Sequence, residues 1–225
     1  MNDSDRSAEI ERLAASPWFA ELPAALQARI REASVVRSFR KGQYLIREGE
    51  HAKGLHGLLA GQTRHMRSAG DSGEVMLHVG EPGLWFGEYA LVTRQVAAGS
   101  VIAATAVRTL FLPVAAFERL IEIEPRHLRP FACLLGERFA LAYRYIAEEQ
   151  VLSPAERLLS RLRGIVAVQR RDPTDRQPMT ISMSQAELAN MLGLSRQTLN
   201  ALLAGLQSRG LIEVGYRSVR VLARV

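Results

Sequence analysis

The stretch from Ser184 to Gly210, SQAELANMLGLSRQTLNALLAGLQSRG, narrows the choice of fold more than any other part of this 225-residue chain. Ser184 and Glu187 have the S-x-x-E spacing of a capping box, in which each side chain satisfies an orphan amide of the first helical turn. Leu188, Ala189 and Leu192 share one face of that helix. Gly193 stops it, because glycine takes the left-handed conformation without a steric penalty. Ser195 caps a second helix. Leu199, Leu202, Leu203 and Leu206 recur at i, i+3, i+4 and i+7, the spacing of a buried stripe, and Gly210 ends the helix. Two short helices joined by a tight turn make a helix-turn-helix. The N-terminal end of such a second helix reads base edges in the major groove, and it carries Arg196, Gln197 and Asn200.

The charge is distributed to match. After residue 151 there are 11 Arg, no Lys and 5 acidic residues, a net of +6, whereas the first 151 residues carry 18 basic and 18 acidic side chains. The basic excess therefore lies where phosphate attraction is wanted. Apolar content is 48% and charged content 23%, values of a water-soluble globular protein. No apolar run is long enough to cross a membrane. The first residues, MNDSDRSAEIERL, are acidic and polar and lack the apolar core of a signal peptide. A cytoplasmic location is expected. The one cysteine, Cys133, rules out an internal disulfide and a four-thiolate cluster within one chain; as a small hydrophobe it is expected to be buried, the alternative being an exposed thiol that senses oxidation.

Upstream, residues 7 to 33 read as helix, with Ser16-Pro17 as a start signal and an apolar face of Trp18, Phe19, Leu22, Leu26 and Ile30. From Val35 to Leu112 short apolar runs alternate with glycines. Val35–Phe39, Tyr44–Arg47, Leu55–Leu59, Gln62–Met66, Glu74–Val79, Ser100–Ala104 and Arg108–Pro113 are expected strands, with Gly70 to Gly73 as a hairpin tip. Many short strands with glycine turns indicate a β-sandwich or roll. Pro113 starts a short helix. From Pro130 to Val151 one long helix is expected, with a seam of Leu128, Phe131, Leu135, Phe139, Ala142 and Ile146. Aromatic residues on more than one face (Phe131, Phe139, Tyr143, Tyr145) fit a helix with the roll on one side and a partner helix on the other. Val151-Leu152 is a candidate hinge, and Ser153-Pro154-Ala155-Glu156 opens another helix. Arg170 to Pro178 is a polar loop, and Met179–Met183 a short strand. LIEVGYRSVRVL then reads as two strands around Gly215, a wing. The fold class expected is α+β: an N-terminal helix and β-roll over residues 1–124, a long dimerisation helix over 125–151, and a winged helix-turn-helix over 152–225.

This order resembles the Crp/Fnr family of bacterial transcription regulators. Gly42, Gly49 and Gly61 resemble the family's early turn glycines. Pro82-Gly83-Leu84-Trp85-Phe86-Gly87-Glu88-Tyr89-Ala90-Leu91 is similar to its PGd-x-fGE-x-aL pattern. Leu194-Ser195-Arg196-Gln197-Thr198-Leu199 is similar to its recognition-helix start, usually S-R-E-T-V, and Leu211-Ile212 to its entry to the wing. The resemblance implies a dimeric regulator of double-stranded DNA acting on a near-palindromic operator, with RNA polymerase as a further partner and no membrane. It implies that Arg196 reads guanine, which fits the geometry of an Arg fork on O6 and N7. The family's common Glu is Gln197 here. Gln prefers adenine, so the half-site is expected to depart from the family's usual sequence. The position of a second Arg is Ala201, and Asn200 beside it is either a reader or a solvated residue. Ser195, Thr198, Arg209 and Arg217 are assigned to phosphate.

In relatives that bind cyclic AMP, the amides after the fGE pattern hold a phosphate, and an Arg-Ser/Thr-Ala triplet about ten residues later neutralises it. By resemblance the ligand site here comprises Phe86, Gly87, Glu88, Tyr89, Gly99 and Ser100, with Glu88 accepting a ribose hydroxyl. The triplet reads Ala98-Gly99-Ser100 and lacks the arginine, a charge-assisted contact worth roughly 1.5–3 kcal/mol. Arg94 lies four residues too early, within reach of a loop shift. Cyclic AMP is therefore expected to bind weakly or not to be the effector. No cofactor, metal site or iron–sulfur cluster is expected. A constitutive regulator and a haem-based gas sensor remain alternatives; His51, His56, His65 and His78 lie in the roll and His127 beyond it, none at a metal spacing of its own. No nucleophile–base pair or paired histidines suggest an enzyme.

Overall fold

The computed structural model describes residues 9–11, 13–51, 53–70, 73–169 and 177–222. The expected loop tip at Asp71 and Ser72, and Arg170 to Arg176 of the polar loop, lie outside them. The chain divides into two compact units, one up to Ala140 and one from Leu141, with the boundary inside the long helix.

In the first unit residues 9–11, 13 and 14 are helical, and α1 (Pro17–Ala20) and α2 (Ala24–Ala33) follow. The single helix expected over this stretch is broken, because Pro23 has no amide to continue it and serves instead as the N-cap of α2. Ser16 precedes Pro17 as expected but makes no side-chain cap. Its hydroxyl donates to the Leu13 carbonyl at 2.6 Å and accepts from Trp85 Nε1 at 3.1 Å. The strands follow: β1 (Val35–Phe39), β2 (Tyr44–Ile46), β3 (Gly54–Ala60), β4 (Thr63–Ser68), β5 (Glu74–Gly80), β6 (Trp85–Phe86), β7 (Ser100–Ala103) and β8 (Val107–Pro113). They form two four-stranded antiparallel sheets, β1-β8-β3-β6 and β2-β7-β4-β5. Leu45, Leu58, Leu84, Phe86 and Val101 fill the space between the sheets. On the other side of β3, Leu55 and Leu59 join a second core with Trp18, Phe19, Leu26 and Trp85. Both faces of β3 are thus covered, so it lacks the polar–apolar alternation of a half-exposed strand. The two-residue β6 and the helix after it, α3 (Glu88–Thr93), are both shorter than the window a periodicity needs; α3 starts directly after the fGE pattern, as the family resemblance implies.

α4 (Val114–Ile123) and the 24-residue α5 (Leu128–Val151) follow. α5 begins two residues before the expected Pro130, since proline fits the first turn of a helix. Its expected seam is divided. Phe131 is fully buried, 4.9 Å from Phe117 and 5.5 Å from Trp18 between ring centres, and Trp18 Nε1 donates to the Pro130 carbonyl at 2.9 Å. Leu128, Phe139, Tyr143 and Ile146 are 38 to 67% exposed. Cys133, expected to be buried, is exposed.

The second unit contains α6 (Pro154–Gln169), β9 (Met179–Ile181), α7 (Gln185–Leu192), α8 (Arg196–Ser208), β10 (Ile212–Gly215) and β11 (Ser218–Val221). The capping box opening α6 is formed: Ser153 N donates to Glu156 Oε2 at 2.8 Å. The end of α5 is tied to α6 by contacts that need both helices in place. Arg161 stacks on the Tyr145 ring at 3.1 Å, Ser160 Oγ donates to Glu148 Oε1 at 2.8 Å, and Arg157 pairs with Glu149. The strands form a sheet in the order β10-β11-β9. The turn of the wing is Tyr216–Arg217, not Gly215, which is the last paired residue of β10. A Cβ on Gly215 would lie 2.7 Å from Ser218 Oγ, a hydroxyl that can rotate away, and 3.9 Å from the Ser218 carbonyl oxygen.

Candidate nucleic-acid interface and effector pocket

Local chemistry builds the helix-turn-helix. Ser184 N donates to Glu187 Oε2 at 2.7 Å, and Glu187 N donates to Ser184 Oγ at 3.3 Å, completing the box. Gly193 has φ +61°, and Leu194 N closes onto the Ala189 carbonyl at 2.9 Å. Ser195 Oγ accepts from Thr198 N at 3.1 Å and lies 2.8 Å from Thr198 Oγ1. α8 ends in the same way, with Gly210 at φ +67° and Leu211 N donating to the Leu206 carbonyl at 3.1 Å. Leu199, Leu203 and Leu206 are buried at 0 to 2% exposure, and this fixes the roll of the helix about its axis. Arg196, Gln197, Asn200 and Ala201 are all exposed at its start. Further along, the exposed Ala204 and Gly205 leave a flat stretch of surface before Gln207.

The other residues assigned to phosphate sit differently. Ser195 and Thr198 are engaged in the cap. Arg209 is exposed at the C-terminal end of α8, and its charge helps the Ser153 hydroxyl and amide bonds, the larger causes, to hold Glu156 below the usual carboxylate range. Arg217 is at the wing tip with φ +49°.

In the roll, Gly87 at φ +102° turns the chain into α3, and Glu88 is buried at 7% exposure. Burial raises its carboxyl above the ordinary range, against the charge of Arg138 and the amides of Glu88 and Gly87. Phe86 stacks on His56 at 5.2 Å and meets His65 edge-on at 5.2 Å. Ser100 Oγ accepts from Glu48 N at 3.0 Å, and a Cβ on Gly99 would lie 2.6 Å from the Met66 carbonyl oxygen. Phe86 shares the core between the sheets with Val101, the neighbour of Ser100. Tyr89 is apart, at 39% exposure on the outer side of α3. Arg94 is not drawn in, since its guanidinium is 77% exposed and 3.1 Å from Glu118.

Two cations missing from the sequence argument appear here. Arg67 of β4 donates to the carbonyl of Ala98, the first triplet position, and lies 3.5 Å from Glu48. Arg138 of α5 donates to the Trp85 carbonyl at 3.2 Å and lies 3.9 Å from Glu88. His65 and His78, paired across β4 and β5, are held neutral by burial, His65 well below its ordinary value and His78 to about 4, with the Arg138 charge adding to both. His56 is pushed to about 3 by burial and by Arg37, and its Nδ1 lies 3.0 Å from Thr109 Oγ1. Spacing along the chain could not have found Arg138, which is 50 residues from Glu88. Among the described residues no group of three or more His, Cys, Asp or Glu is placed to hold a metal ion.

A double-sheet roll followed by a long helix and a winged helix-turn-helix with an exposed, capped reading helix defines a two-domain DNA-binding regulator. The cyclic nucleotide-binding domain family matches residues 36–124, and the Crp-like helix-turn-helix domain family matches residues 155–224. The chain belongs to the Crp/Fnr family of transcriptional regulators. It is 25% identical over 210 residues to the CRP-like cAMP-activated global transcriptional regulator of Mycobacterium tuberculosis, covering 88% of each protein. A Crp/Fnr-family transcriptional regulator from Thermus thermophilus is 25% identical, with a TM-score of 0.64 over 84% of this chain and 93% of that one. FixK2 of Bradyrhizobium japonicum shares the fold, with a TM-score of 0.72 at 19% identity over 85% of this chain and 93% of that one. Among the described residues no helix is long and apolar enough to cross a membrane.

Proposed function

We propose that this regulator binds a near-palindromic operator as a homodimer in the cytoplasm, acts with RNA polymerase, and is gated by an effector in the roll. The observation that carries the DNA reading is the first turn of α8: Arg196, Gln197 and Asn200 exposed, while the buried leucines hold their direction. The exposed stripe of Leu128, Phe139, Tyr143 and Ile146 on α5 supports the dimer. Ala132 and Gly136, exposed between Leu128 and Phe139, are small enough for a close helix approach. Two recognition helices would then enter successive major grooves about 34 Å apart. The effector shifts the hinge after α5 between two arrangements and so changes that spacing.

Cyclic AMP is a poor fit for the gate, although the Mycobacterium tuberculosis relative is named for it. Ala98 supplies no cation, Arg94 is turned away to Glu118, and Arg67 is held by the Ala98 carbonyl and Glu48. α3, at six residues, offers a short dipole. The loose Glu88–Arg138 pair, with His78 Nε2 buried and unpartnered beside it, favours a ligand-gated regulator over a constitutive one. His56, packed between Phe86 and Phe111, presents no face to a haem.

The test is fluorescence anisotropy on operators selected from random DNA. Arg196→Ala should lower affinity by about 10- to 100-fold at the cognate site and leave the melting temperature unchanged. Absence of salt-sensitive binding to any selected sequence refutes the DNA reading. Isothermal titration showing low-micromolar cyclic AMP affinity refutes the effector reading.

A further inference from the structure

The side of α8 turned furthest from the core carries almost no polar group. α8 advances by about 100° per residue, and the buried Leu199, Leu203 and Leu206 define its inner side. Gln197, Ala201, Ala204 and Ser208 follow one another at helical spacing and are all exposed, so they form the ridge opposite those leucines. Arg196 and Asn200 flank that ridge on one side. Ala201 therefore stands at the centre of the face that enters a groove. It lies one turn beyond Gln197, or about 6 Å along the axis.

Neighbouring polar groups are engaged elsewhere. Ser208 Oγ donates to the Gly205 carbonyl at 2.9 Å, and Gln207 Oε1 accepts from Val214 N of the wing at 2.9 Å. Ser195 Oγ and Thr198 Oγ1 lie 2.8 Å apart within the cap. Beyond Gln197 the ridge thus presents the methyl groups of Ala201 and Ala204, and no long side chain holds the backbone away from the bases. An arginine at 201 would stand the helix off the groove floor. An alanine lets it approach until its Cβ touches that floor, with no polar group to desolvate. The apolar feature of the major-groove floor is the C5-methyl of thymine, and alanine is one of the side chains that contact it.

Resting on the DNA-binding reading above, we propose that Ala201 is a specificity residue that reads the C5-methyl of a thymine in each half-site. At about 3.4 Å per base pair, the 6 Å step along α8 places that thymine within about two base pairs of the base taken by Gln197. The position where relatives commonly carry a second arginine is then an apolar contact and not a lost one. Each half-site is read by Arg196 and Gln197 through hydrogen bonds and by Ala201 through a methyl group.

The experiment uses the full chain and operators selected from random DNA. Each thymine is replaced in turn, in both half-sites together, by deoxyuridine, which lacks only the C5-methyl and keeps the base pair. Burial of one methyl group is worth about three- to fivefold, so the wild type should lose on the order of tenfold in affinity at one symmetric pair of positions. Ala201→Gly should reduce that penalty to less than about twofold. The ratio compares two DNAs on one protein, so a general weakening of the variant leaves it unaffected, and a purely structural alanine would not move it. Ala201→Arg, put through a fresh selection, should turn the preference at that same position toward guanine. Indifference of the wild type to deoxyuridine at every position overturns the proposal. So does a penalty that survives Ala201→Gly, or an Ala201→Arg preference that changes at a different base pair. Absence of salt-sensitive binding by the wild type to any selected sequence instead fails the DNA-binding reading, and the proposal with it.

Discussion

Arg138→Gln tests how the first unit is held. The Arg138 and Glu88 side chains are 31% and 9% exposed, with Nε and Oε1 3.9 Å apart. At an effective dielectric of about 20 their attraction is about 4 kcal/mol. Partial solvent access to the guanidinium reduces the net cost of losing it to about 2 kcal/mol, most of it from leaving a buried carboxylate alone. The cost depends on pH, and its sign follows from the burial of Glu88. A carboxyl whose folded value is raised favours the folded state while protonated, and that contribution is lost as pH rises through the folded value. Arg138 opposes the rise. In the variant Glu88 therefore protonates at higher pH, escaping its penalty in acid. His65 and His78, relieved of the Arg138 charge, also take protons more readily, which acts in the same direction. Both tryptophans, Trp18 and Trp85, lie in this unit, so urea unfolding followed by intrinsic fluorescence reports on it. The gap between wild type and variant should be about 2 kcal/mol near pH 7.5 and under about 1 kcal/mol near pH 5. An equal gap at both values, or none at neutral pH, refutes the reasoning.

Other consequences can be measured directly. Ser184→Ala removes the capping box and should destabilise the second unit by about 1 kcal/mol in a thermal melt followed by circular dichroism. Gly61→Ala places a Cβ 2.1 Å from the Ala106 carbonyl oxygen at a φ of +84°, and should lower the stability of the first unit in urea by at least about 2 kcal/mol. His56 and His78 have depressed folded values near 3 and 4, so their contribution is present above the unfolded value near 6.5 and lost as pH falls toward those folded values. Imidazole NMR should show neither of them titrating between about pH 5.5 and 8.

The chain's local chemistry was legible in its residues. Caps at Ser153, Ser184 and Ser195, stops at Gly193 and Gly210, and the Leu199–Leu206 stripe depend on neighbours three to five positions away, and the structure forms each of them. The alternation that announced the strands is equally local. It failed on β6 and α3, which are too short to repeat, and at the wing turn, where Gly215 reads as the pivot but is paired with Ser218 within the strands. Ser16 shows the limit plainly: it stands before Pro17 as a cap should, yet its hydroxyl joins Leu13 to Trp85, 69 residues on.

The sequence by itself therefore determined the order of elements, the direction in which α8 presents Arg196, Gln197 and Asn200, and the absence of an arginine from the triplet. Only the tertiary structure decided which charges meet. It put Arg138 beside Glu88, turned Arg94 to Glu118, laid Arg67 against Ala98, and tied the wing to Gln207 while leaving Tyr216 in solvent. The reason is range. Caps and stripes act along the chain at fixed separations, whereas the electrostatics of a pocket is set by residues that come together only when two sheets and a helix close on one another.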